Sequence, residues 1–165
     1  QTHAMVWPDA SQALAWLSHA AADKGKPPDP EQAATWLQAA GGRPDDALVW
    51  ASTGLQTATW AQLPQALARG DWGTLNGWPP AQQLAVLQKL CHDLMARASG
   101  APTRFFPAEQ LPPAPRWGAL AQWSRELMTT ARTVEHPYNA GLMQEAWAAR
   151  TRQVLSGNAA APRRP

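Results

Sequence analysis

The sequence predicts an all-α protein, and three observations carry that reading. Apolar residues recur at spacings of three and four through most of the chain. No stretch shows the period-two alternation, rich in Val, Ile, Thr and Tyr, that marks a strand. Of 165 residues 45% are hydrophobic and 16% charged, enough for a real core, while 16 prolines cut the chain into short elements.

The first helix is predicted from about Ser11 to Ala22, with Leu14 and Leu17 on one face and Asp9 or Ser11 able to cap its free N–H groups. The stretch KGKPPDP stops it. In DPEQAATWLQAAGG the boundary signals are more complete: Asp29 as N-cap, Pro30 at the first helical position, Glu31 in the first turn and Gly41 where a left-handed C-cap belongs. A third short helix, from about Pro44 to Ala51, carries Leu48 and Val49 and ends near Gly54.

Charge changes sign at this point. Residues 1 to 52 hold three Lys/Arg and six Asp/Glu, a net −3, whereas residues 53 to 165 hold eleven and six, a net +5. The turn and the charge shift together predict a domain boundary at residues 52 to 56, giving a partial helical domain over 1–54 and a helical bundle over 55–156.

Within the second part, Thr57 to Ala68 reads as a helix disturbed by Pro64, and GDWGTLNGW as a turn with at most one helical turn inside. From Pro80 the stripe is strong: Leu84, Leu87, Cys91, Leu94 and Ala98, widened by Leu90 and Met95. SGAPTRFFPAEQLPPAPR is a long connection too apolar to float free, with Phe105 and Phe106 as its expected anchors. A helix from about Trp117 to Val134 follows, with Leu120, Trp123, Leu127 and Ala131 on one face, and EHPYN breaks it. The last helix, about Asn139 to Leu155, has Asn139 as N-cap and Met143, Trp147 and Val154 along one side. Residues 157–165 have no periodicity and read as a tail.

The composition narrows the chemistry. A single cysteine leaves no internal disulfide framework and no cysteine metal set, which fits a reducing, cytoplasmic setting. No run approaches the ~18–20 apolar residues that span a bilayer. Cys91 and His92 are neighbours, but side chains at i and i+1 on a helix do not face each other, so they form no nucleophile–base pair. Cys91 is expected inside the core and His92 at a surface or a subunit contact.

His3, His19 and His136 have no metal-ligand spacing, and no phosphate-binding loop or nucleophile elbow occurs. Asp45 and Asp46 sit where a helix dipole favours negative charge. No cofactor, metal or catalytic residue is expected. Ten tryptophans are unusual beside two phenylalanines and one tyrosine; several are expected at helix rims or at an interface, where the indole N–H finds a partner.

Several segments, in this order, resemble the C-terminal part of the delta-prime subunit family of bacterial DNA polymerase III clamp loaders. They are ALAWL at 13–17, AAGGRPDDAL at 39–48, LARGDW at 67–72, LQKLCHDLMARASGAPTRFFP at 87–107 and EHPYNAGLMQEAW at 135–147. Each is soft alone; LQKLCHD leading to Gly-Ala-Pro, RFFP and then HPYN is specific in combination. The resemblance covers residues 13 to about 155 and excludes that family's N-terminal domain, with its degenerate nucleotide site, zinc module and Ser-Arg-Cys segment. The start at Gln1 also suggests a fragment of something longer, whose residues 1 to 10 would lose their order.

The resemblance implies a remnant of the small helical lid of an AAA+ type subunit over 1–54, then a clamp-loader collar domain over 55–156. In ATP-hydrolysing relatives the lid helix begins Gly-Ser-x-Arg. Here GGRPDDAL puts Asp45 at or next to the sensing arginine, with Arg43 out of register, as in a subunit that does not hydrolyse ATP.

The expected function is therefore a non-enzymatic assembly module of the loader. Its partners would be the gamma/tau and delta type subunits through the collar, with DNA met only indirectly and no membrane. Phe105, Phe106, Trp117 and Trp147 are the interface candidates, and Leu84, Leu87, Cys91, Leu94, Leu120, Trp123 and Leu127 the structural core. The rival is a free-standing helical nucleic-acid-binding module using RFFP and the C-terminal arginines. An enzyme of another kind has no site to support it.

Overall fold

The computed structural model describes residues 9–23, 25, 27–134 and 140–156. Among these residues every regular element is helical. There are seven α-helices: α1 (Ala10–Ala22), α2 (Pro30–Ala39), α3 (Pro44–Ser52), α4 (Thr57–Ala68), α5 (Pro80–Ala98), α6 (Trp117–Ala131) and α7 (Ala140–Ser156). Short 3-10 turns lie at Gly73–Leu75 and Ala108–Gln110.

Local chemistry sets the helix ends. Asp9 and Asp29 each accept the backbone N–H three residues on, at 2.8 Å, which satisfies a donor that has no partner inside the helix. At the other end of α2, Gly41 N–H bonds to Gln38 O and Gly42 N–H to Leu37 O. That double closure needs a left-handed residue, and Gly41 supplies it with φ 65°. Helix α5 ends in the same way: Gly100, φ 75°, bonds Arg97 O, and Ala101 bonds Ala96 O. Pro64 does not break α4, which runs through it. Asn139, EHPYN, residues 1–8 and the tail at 157–165 lie outside the described residues.

The chain divides into two compact units, Gln1–Trp60 and Ala61–Pro165, so the division falls inside α4, a few residues past the turn that the charge shift picks out. In the first unit α1, α2 and α3 pack on one another. Their facing rows are largely alanine: Ala13 and Ala21 beside Leu17, then Ala33 and Ala39, then Ala47. Small side chains let the backbones approach closely, and tryptophans fill the remaining space. Trp36 donates its Nε1–H to Leu55 O at 2.9 Å, and Trp50 and Trp60 meet at 5.3 Å between ring centres. On α3, Ala47 and Trp50 are buried, while Leu48 is half-buried and Val49 is exposed.

In the second unit α5 is the central helix and α6 lies along it. Leu84, Leu87, Cys91 and Leu94 of α5 and Leu120, Trp123 and Leu127 of α6 are all buried. Cys91 Sγ lies 3.6 Å from Leu120 O and Gln88 Nε2 donates to Leu127 O at 3.5 Å, so polar contacts accompany the apolar seam. Ala98 and Ala131, at the far ends of the two stripes, are exposed. Helix α7 joins α6 through Arg150, whose Nε and Nη2 grip Glu126 at 2.6 and 2.8 Å. That guanidinium, with help from Gln122, holds the Glu126 carboxyl below the usual glutamate range.

Most tryptophans are core residues and not rim residues. Trp36, Trp50, Trp60, Trp72, Trp123 and Trp147 are buried, while Trp16 and Trp117 are exposed.

Candidate functional site

Helix α5 carries a second row beside its main stripe. Val86, Leu90, Asp93 and Arg97 follow at intervals of four, three and four, and the first three are fully buried. A carboxylate buried among leucines must be paired, because desolvating an unpaired charge costs several kcal/mol. The partners of Asp93 come from the proline-rich connection. Oδ1 accepts the N–H of Arg104 at 2.9 Å, and Oδ2 accepts those of Phe105 and Phe106 at 2.8 Å each.

One turn further along α5, Arg97 completes the clamp from the other side. Its Nη1 donates to Leu111 O at 3.0 Å and to Ala108 O at 3.4 Å. Thr103 Oγ1 closes the turn locally on Phe106 O at 2.9 Å. A connection cut by prolines cannot build its own ladder of backbone bonds; here a carboxylate takes its N–H groups and a guanidinium takes its carbonyls.

The clamp separates the two phenylalanines. Phe106 is 0% exposed and buried in its own chain, so it offers no surface to a neighbour. Phe105 is half-buried, and its ring gathers charge. Lys89 Nζ lies 5.3 Å from the ring centre and Arg104 Cζ 5.6 Å, while the His92 ring meets it edge-on at 5.2 Å. Lys89 and His92 stand three residues apart on the outer edge of α5, the spacing that lets both reach one ring. His92 Nδ1 also lies 3.0 Å from Asp93 Oδ1.

Among the other interface candidates Trp147 is buried and Trp117 is 53% exposed. Of the four interface candidates, Phe106 and Trp147 are thus buried within their own unit, Phe105 is half-buried and Trp117 is exposed. Asp93, which the sequence reading passed over, organises the whole turn. Its signal was a poor helix former in mid-helix between apolar positions 90 and 94, upstream of a segment with unpaired backbone donors.

Cys91 and His92 point apart in function as well as direction. Burial pushes the Cys91 thiol up to about 12, so it stays protonated and non-nucleophilic near neutral pH, while half of the His92 side chain is exposed. Asp46 pairs with Arg43 on the surface, and Asp45 lines an open cavity of about 370 Å³ with Gln12, Ala13, Trp16 and Pro44. Among the described residues no group of three His, Cys, Asp or Glu side chains could hold a metal, and no helix is long and apolar enough to cross a membrane. His19 is exposed; His3 and His136 lie outside the described residues.

No family model, no curated protein and no solved structure matches this chain.

Proposed function

We propose that this chain is a non-catalytic assembly module of a clamp loader, the lid remnant and collar domain of a delta-prime-like subunit of a bacterial DNA polymerase III. It would work in the cytoplasm, holding its subunit in a collar with gamma/tau and delta type neighbours while the ATPase domains move. In this role it meets DNA only through the assembly.

One observation carries the reading. Helix α6 buries Leu120, Trp123 and Leu127 in the core, whereas Trp117 and Met128, three turns apart on the adjacent face, are 53% and 64% exposed. Ala121 lies between them on the same row and is half-buried. Exposed large apolar groups aligned along one helix are what a protein contact uses, and tryptophan is a frequent anchor of such contacts. The identity proposed for the assembly rests on the resemblance carried by the ordered motifs from LQKLCHD to RFFP.

The test is to mix the chain with the collar domains of gamma/tau and delta type subunits and measure mass by light scattering. A mixed complex is expected, lost in Trp117→Glu and Met128→Glu proteins that keep their helical circular dichroism. Absence of any mixed complex with the unaltered chain would refute the proposal.

A further inference from the structure

We propose that the cavity between α1 and α3 binds the guanidinium group of an arginine side chain on a partner polypeptide, with the Trp16 ring as its stacking face and the Asp45 carboxylate as its counter-charge. The site belongs to the first unit, so it goes beyond the assembly reading, whose contact lies on α6 of the second.

The first support is the make-up of the cavity, which measures about 370 Å³. Gln12 and Trp16 stand four residues apart on α1, with the buried Ala13 between them, while Pro44 and Asp45 open α3 on the other side. An aromatic face beside a carboxylate is the pairing that recognises an organic cation, because the ring quadrupole and the negative charge both attract it.

The second support is that both groups are free of partners among the described residues. Asp46 takes Arg43, whereas Asp45 makes no hydrogen bond or ion pair and the Trp16 ring meets no cation or second ring. Trp16 is 44% exposed. The helix dipole explains a carboxylate in the first turn of α3, but it does not account for a large exposed indole on the other wall of the same cavity.

Charge and shape decide the occupant. Residues 1–52 carry three Lys/Arg against six Asp/Glu, a background that repels phosphates and carboxylates and attracts a basic partner. A guanidinium is flat, stacks on an indole and meets a carboxylate through two N–H donors, where an ammonium offers only a point charge. Val49, 48% exposed, lies one turn along α3 from Asp45 and stays bare beside a small free cation. A polypeptide that carries an apolar residue next to its arginine covers both.

The experiment titrates the whole 165-residue chain with acetyl-arginine amide and follows the backbone amide of Ala13 by NMR. Saturable shifts with a Kd on the order of 1 mM are expected, and the citrulline counterpart, alike in shape but uncharged, should give none. Trp16→Leu and Asp45→Asn should each weaken binding about threefold, whereas Glu31→Gln, an equal loss of charge on α2, should change it little. Acetyl-Leu-Arg-Leu-amide should bind about threefold tighter than acetyl-arginine amide, an advantage that Val49→Gln removes. The proposal is overturned if the arginine compound causes no saturable shift, if the citrulline compound binds as well, or if Glu31→Gln does equal damage. It is equally overturned if Trp16→Leu or Asp45→Asn protein that keeps its helical circular dichroism binds as well as the unaltered chain, or if the leucines add nothing, which would assign the cavity to a small free cation.

Discussion

Removing the Asp93 carboxylate should detach the turn at residues 104–106 while leaving the helices in place. Three bonds to a charged acceptor, each of roughly 1.5–3 kcal/mol, would sum to more than the turn can lose, because a released turn rehydrates its N–H groups by swinging into water. The loss is bounded instead by what opening exposes. That is chiefly the fully buried Phe106 ring, whose burial contributes roughly 1.5–3 kcal/mol.

Asp93→Ala is therefore expected to lower the stability of the second unit by about 3 kcal/mol. Asp93→Asn keeps one acceptor oxygen. Placed at the Oδ2 position it still takes Phe105 and Phe106, while its NH2 group confronts the Arg104 N–H, so a loss of about 1–2 kcal/mol is expected. Urea unfolding followed by far-ultraviolet circular dichroism gives the stability order, and hydrogen exchange at the amides of residues 104 to 106 reads the clamp directly. A stability within about 0.5 kcal/mol of the unaltered chain, with those three amides still protected in Asp93→Ala, would show that the carboxylate does not hold the turn.

Three further outcomes are expected. Cys91 should resist iodoacetamide at mildly alkaline pH until urea unfolds the chain. With its folded pKa raised to about 12, the folded state keeps a proton the unfolded state gives up, so stability should fall as pH rises past about 9, by roughly 1–2 kcal/mol at pH 10. Glu126→Gln should cost about 0.5–1 kcal/mol at neutral pH by loosening Arg150, measured by urea unfolding. Since the Glu126 pKa is depressed on folding, that advantage is present above the ordinary glutamate pKa and disappears as the carboxyl is protonated in acid, so the two proteins should converge there. Trp36→Phe removes the donor to Leu55 O but leaves the Gln32 bond to the same oxygen at 3.2 Å, so a loss of about 1 kcal/mol in thermal or urea unfolding is expected.

Helix ends were the most legible part of the fold, because each is a local matter. Asp29, Pro30 and Gly41 each answer to a backbone geometry that a few residues determine, and the α5 and α6 stripes follow from spacing alone. The inner face of α3 was less legible: Leu48 and Val49 stand beside Ala47 and Trp50 in the sequence, and packing against α1 and α2, partners distant in sequence, buries Ala47 and Trp50. The candidate site was only half visible. RFFP stood out as an aromatic doublet between prolines, yet which ring turns inward depends on Asp93, eleven residues upstream of Arg104. Long-range pairing between a helix side chain and loop amides leaves no periodic trace, and neither does the gathering of Lys89, His92 and Arg104 about one ring.

The way the turn is fastened separates two kinds of inheritance. Asp93 grips residues 104 to 106 by their amides, which every residue except proline possesses, and Arg97 grips carbonyls, which all residues possess. The backbone bonds that fasten the turn therefore do not depend on which side chains stand at 104 and 105. Exchanges at those positions can rewrite what the surface attracts while the scaffold beneath stays the same, so this short segment is a place where new binding preferences can arise at little cost to folding.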